Sequence, residues 1–108
     1  MRFVMKVSWD VEAGNALARQ GKLASTVQSI LADTKPEAAY FTAEDGKRGG
    51  ILIVDITDAS QIPALAEPWF LAFNASLTVR PAMTAEDLAM GMPGMQRAVQ
   101  AYGEGAGA

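Results

Sequence analysis

A chain of 108 residues, half of them hydrophobic and 19% charged, is one globular domain: long enough for a single core, too short for two, and too apolar to stay disordered. The net charge of −3 and the scatter of the nine basic residues leave no basic surface for phosphate, so no nucleic-acid partner is expected. Cysteine and histidine are both absent, which removes disulfides, thiol nucleophiles, Ser-His-Asp hydrolysis and the commonest metal ligand.

No metal and no cofactor is therefore expected. No run reaches the roughly 18 apolar residues of a membrane helix. The opening MRFVMKVSW reads as a strand rather than a signal peptide. These features set the expectation of a cytoplasmic protein with no membrane partner.

Residues 2–8 alternate, with Phe3, Met5 and Val7 on one face and Val4, Lys6 and Ser8 on the other, as in a half-buried strand. Asp10 is placed to cap the next helix, and Glu12 sits where the helix dipole favours an acid. Apolar spacing predicts a helix from Val11 to about Asp33, with Gly21 marking an alternative break. Lys35-Pro36 ends it.

Glu37–Ala43 is a weaker strand, and the polar glycine-rich stretch 44–50 turns it into an antiparallel hairpin. Ile51–Ile56 is a nearly continuous apolar run, the mark of a central strand. Asp58 or Ser60 caps a short helix that Glu67-Pro68 is expected to close. Alternation then predicts a long strand from Trp69 to Val79. Thr84-Ala85-Glu86-Asp87 resembles a capping box for a helix that Gly91-Met92-Pro93 interrupts, followed by a second short helix over Gly94–Tyr102 and a flexible GEGAGA tail.

The expected class is α+β: a ferredoxin-like (βαββαβ) antiparallel sheet with its helices on one face, over residues 1–83, followed by a C-terminal helical extension and tail over residues 84–108. Such a sheet leaves its other face open. That face should carry Val4, Lys6, Ser8, Ile53, Asp55, Asn74, Ser76, Thr78 and Arg80, a mixture suited to a subunit interface or a lined cavity.

VDITDASQIPALAEPWF…LTVRPAM resembles the second half of muconolactone-isomerase-like proteins in the dimeric α+β barrel superfamily. In that group a strand ending in an acid leads to a short helix, a Pro-plus-aromatic turn and a strand ending near proline. The opening RFVMKV and the hairpin glycines Gly49 and Gly50 are compatible with it, so the resemblance spans about residues 2–82. It implies a homodimer, or a higher homo-oligomer, in which two sheets pack face to face. Members of the superfamily range from cofactor-free isomerases and monooxygenases to uncharacterised domains. No position matches an active-site motif, so no catalytic residue is carried over. The long first helix and the GMPGM segment depart from the shorter members.

Six residues stand out as candidates for a small-molecule site. Lys6 and Asp55, on neighbouring strands, make either a polar pair in an apolar cavity, with burial raising the Asp55 pKa, or a register-fixing ion pair. Arg80 is suited to a carboxylate or to an intersubunit salt bridge. Trp69 and Phe73 wall a pocket or pack the core, and Tyr40 adds a hydroxyl. One reading is a non-catalytic homo-oligomeric domain binding an apolar or carboxylate-bearing molecule in its sheet cavity. The other is a cofactor-independent isomerase or monooxygenase-like enzyme acting on a small cyclic acid, with Asp55 or Tyr40 carrying the proton. The sequence leaves open which of the two holds, and so whether the chain is an enzyme.

Overall fold

The computed structural model describes residues 1–103, and the expected tail beyond Gly103 lies outside them. Strand β1 (Arg2–Ser8) is central, pairing antiparallel with β3 (Lys47–Asp55) on one side and β4 (Ser76–Pro81) on the other. The edge strand β2 (Ala38–Glu44) pairs antiparallel with β3, giving the order β2-β3-β1-β4. With four α-helices among the described residues, the class is α+β.

The expected helix over 11–33 is two helices, α1 (Val11–Arg19) and α2 (Leu23–Thr34). Asp10 caps α1 by accepting from the Ala13 N–H at 3.0 Å. Gly21 then takes φ +68, and Lys22 N–H donates to the Leu17 carbonyl at 2.9 Å, so the left-handed glycine stops one helix before the next begins. The hairpin between β2 and β3 turns on Asp45 and Gly46, both at positive φ, the geometry that suits the strand twist.

The largest departure from the predicted elements lies at Trp69–Val79. Helix α3 (Ile62–Phe73) runs straight through Pro68, and β4 begins only at Ser76. A proline inside a helix costs about 3 kcal/mol. Continuing the helix, however, buries Ala66, Trp69 and Phe73 on one face, and each large side chain fully buried returns about 1.5–3 kcal/mol. The carbonyl that Pro68 leaves without a donor belongs to exposed Ala64, where water can reach it. Left-handed Asn74 ends α3, so it is a cap rather than a strand residue.

Helix α4 (Ala85–Ala98) likewise continues through Gly91-Met92-Pro93 instead of stopping there, and ends in a wide π turn at Val99–Gly103. Thr84 and Asp87 close its capping box, with Thr84 N–H donating to Asp87 at 3.0 Å and Asp87 N–H to Thr84 at 3.1 Å. Every residue from Ala85 to Gly103 is exposed. The projecting helix gives the molecule extents of 64 × 29 × 21 Å and a radius of gyration of 18.7 Å, against about 13 Å for a compact chain of this length.

The core lies between the helices and one sheet face. Met5 and Val7 of β1 and Leu52 of β3 pack against Val27 and Ile30 of α2 and Trp69 and Phe73 of α3. Trp9, just past β1, stacks on Phe73 with ring centroids 4.1 Å apart. Phe41 reaches Trp9 and Trp69 from the edge strand by crossing over Gly50, its partner in register. A Cβ at Gly50 would stand 2.7 Å from the Phe41 ring, and one at Gly49 would stand 2.2 Å from the Val7 carbonyl oxygen.

Gly49→Ala is accordingly expected to lower stability by about 2 kcal/mol or more, because the clash is with backbone. Phe73→Ala should cost about 3–5 kcal/mol. Urea unfolding checks both, and an unchanged midpoint for Gly49→Ala would mean that the strand spacing differs from that described.

Candidate functional site

The helix-free face of the sheet is built by register. Across one row stand Tyr40, Ile51, Lys6 and Thr78; across the next, Ala38, Ile53, Val4 and Arg80; across a third, Thr42, Gly49, Ser8 and Ser76. Alternation places these side chains opposite the buried set of Met5, Val7 and Leu52. The face thus combines aliphatic and aromatic surface with five hydroxyls and two cations. Arg80 is the diagonal neighbour of Lys6, about 7–8 Å away along the strands.

Lys6 and Asp55 share this face but are not partners. Asp55 lies opposite Arg2, four residues along β1 from Lys6, a span of about 13 Å. Lys6 instead makes a 2.5 Å ion pair with Glu44, at the end of β2 on the same face. Asp55 accepts from the Met1 ammonium at 2.9 Å. That hydrogen bond, and after it the charge of the ammonium, holds the Asp55 carboxyl below the usual aspartate range, with Arg2 adding to the effect. The direction is opposite to the one burial would impose: the Asp55 side chain is 54% exposed.

Of the remaining candidates, Tyr40 and Arg80 are exposed on the open face, Tyr40 at 71%. Among the described residues Arg80 makes no ion pair. Trp69 and Phe73 are fully buried on the opposite side of the sheet, so the structure sets them apart from the other four.

Over the open face lies a hollow of about 200 Å³ lined by Lys6, Ser8, Thr42, Glu44, Ser76 and Thr78, among others. Of the six candidates, Lys6 alone reaches it. Gly49 forms part of its floor, where any side chain would strike the Val7 carbonyl. Ser8, Ser76 and Thr78 were legible as alternating strand positions; Glu44 was expected in the turn but ends β2, and only strand pairing reveals that it and Thr42 converge with them.

A broader groove of about 520 Å³ runs on the other side, between α2 and the β2–β3 hairpin, walled by Trp9, Leu23, Val27, Leu31 and Phe41. Arg48 stands at its border, with its guanidinium donating to Asn15 at 2.9 Å. The smaller hollow is the better candidate, because its charged and hydroxyl groups converge, whereas the groove is mainly apolar. The indole N–H groups of Trp9 and Trp69 are buried without a hydrogen-bond acceptor, and each is enclosed among aromatic rings.

A family model described as "Domain of unknown function (DUF3303)" matches residues 1–96. Comparison with curated proteins found no match. No helix among the described residues is long and apolar enough to cross a membrane.

The Asp55 carboxyl is expected to titrate below the ordinary aspartate value, and acetylation of the amino terminus should raise it again, as read by carbon-detected NMR. A lowered folded-state pKa means that the pair's contribution to stability is present above the unfolded-state value and is lost as pH falls through the folded one, below about 4. A carboxyl that titrates normally in both forms would remove the ion pair from the description.

Proposed function

We propose that this chain, which belongs to the DUF3303 domain family, is a homodimeric or higher-order ligand-binding module whose open sheet face takes a small apolar or carboxylate-bearing molecule. The observation that carries the reading is that face itself. A sheet backed by a core on one side presents Val4, Tyr40, Ile51 and Ile53 on the other, uncovered, around a polar hollow. Contiguous exposed surface of this kind marks an interaction site.

At about 200 Å³ the hollow is smaller than the roughly 300–1,000 Å³ of ordinary ligand pockets and is not closed. A second copy laid over the face would enlarge and enclose it. The strand order and antiparallel pairing support a ferredoxin-like arrangement, and with it the sheet-to-sheet packing of dimeric α+β barrels. Lys6 and its diagonal neighbour Arg80 supply the positive charge that a carboxylate needs, with Ser8, Thr42, Ser76 and Thr78 as donors.

A catalytic version needs a proton carrier beside the anion anchor. Asp55 is tied to the Met1 ammonium about 13 Å from Lys6, and Tyr40 stands beyond Ile51, so no observation favours that version over binding alone.

Sedimentation equilibrium at micromolar concentration should find an oligomer. Ile51→Glu, at the centre of the face, should weaken the sheet contact by roughly a hundredfold, since it buries an unpaired carboxylate. In an NMR titration with benzoate, a small cyclic carboxylate, the amides of Ser8, Thr42, Ser76 and Thr78 should shift, and Lys6→Ala should abolish the shifts. A monomer with this face solvated would refute the reading, as would benzoate that leaves these amides unmoved at millimolar concentration.

A further inference from the structure

Among the described residues, helix α4 has no surface to fold against. Its residues are exposed from Ala85 through the π turn to Gly103, and it projects from the body of the domain. Lone helices shorter than about 12–15 residues are marginal in water even when rich in alanine. This one has 14 residues and carries Gly91, Pro93 and Gly94 within them. Such a helix requires a surface, and the described residues of its own domain do not supply it.

The pattern along α4 indicates what that surface is. Ala85, Leu88, Met92, Met95 and Val99 follow one another at spacings of three and four residues. At 100° per residue they fall within an arc of about 80°, a single narrow seam of the kind that packs helix on helix. The seam is its own complement. Laid antiparallel about a point between Pro93 and Gly94, Leu88 meets Val99 of a second copy and Met92 meets Met95.

The charges agree with that direction. The first turn is acidic, with Glu86 and Asp87, and Arg97 lies in the last turn. Antiparallel pairing brings the acidic end of one helix to the level of the basic end of the other, whereas parallel pairing sets acid beside acid. Gly91 borders the seam, and a Cβ there would meet nothing within 4 Å in its own chain. Packing within the chain therefore does not call for glycine at this position, while close approach of a second backbone does. The family match continues through Gln96, so most of α4 falls within the domain that the family model describes. A helix with two acids and one arginine lacks the basic face of a lipid-surface helix.

We propose that α4 is a dimerisation arm, pairing antiparallel with α4 of a second copy of this chain through Leu88, Met92, Met95 and Val99. The contact is separate from the sheet face and does not need it. If the two share one axis, both serve the same dimer.

The chain has no cysteine, so disulfide trapping reads the arm directly. Full-length protein carrying Leu88→Cys together with Val99→Cys should form an intermolecularly bridged dimer on mild oxidation, and Leu88→Cys alone should not, because the two copies of position 88 lie at opposite ends of the seam. In the Ile51→Glu background, where the sheet contact is weakened, the chain should still dimerise. Adding Met92→Glu and Met95→Glu should then raise the dissociation constant by roughly a hundredfold, as charges enter a dry seam.

Efficient bridging by Leu88→Cys alone would overturn the antiparallel arm. Failure of the double-cysteine chain to bridge, with Ile51→Glu alone giving a monomer, would overturn the arm while leaving the sheet-face reading standing. An Ile51→Glu chain whose mass is unchanged from wild type, but which Met92→Glu and Met95→Glu dissociate, would support the arm; a chain with Ile51 intact that Met92→Glu and Met95→Glu alone reduce to a monomer would support the arm and count against the sheet face. Flotation with vesicles of phosphatidylcholine and phosphatidylglycerol, lost on Met92→Glu and Met95→Glu, would assign the seam to a lipid surface instead.

Discussion

The stack of Trp9 on Phe73 ties the two halves of the molecule together. Trp9 follows the central strand and Phe73 ends α3, and the contact is reinforced where the Asp10 N–H donates to the Phe73 carbonyl at 3.1 Å. Trp69 and Phe41 complete the cluster, so one group of four rings joins β1, β2 and α3. The two buried indole N–H groups without acceptors cost stability, about 1–3 kcal/mol for each such group. Burial of the large rings, with their stacking geometry, outweighs that cost.

This cluster also fixes what can happen on the far side of the sheet. Phe41 crosses to it over Gly50, and Gly49, next in the strand, lies against the Val7 carbonyl on the opposite face. One glycine serves the core and the other keeps the floor of the hollow free of side chains. The candidate site is therefore positioned by packing on the face away from it, and its chemistry comes from hydroxyls and charges at alternate positions of four different strands.

The molecule presents two surfaces that its described residues leave uncovered, the mixed face of the sheet and the apolar seam of α4. They differ physically. The sheet face is broad and partly polar, so it accommodates a ligand or water as well as a subunit. The α4 seam is narrow, apolar and regularly spaced, and suits another helix.

The alternation of β1, the capping acid Asp10, the Asp-Gly turn and the apolar run of β3 are local matters of backbone preference and side-chain period, and they are legible residue by residue. The composition likewise carried the absence of histidine and cysteine chemistry. The tertiary structure decided the rest. Trp69–Phe73 has a spacing that both a strand and a helix accept, and only the chance to bury two large rings beside Trp9 selects the helix despite Pro68. The partners of Lys6 and Asp55 were beyond local reasoning, because alternation specifies a face while register specifies a neighbour. The pairing of β1 with β3 places Asp55 opposite Arg2, near the amino terminus, and leaves Lys6 to Glu44. Periodicity acts along one chain segment, whereas a site forms where several segments meet, and that meeting is set by the core.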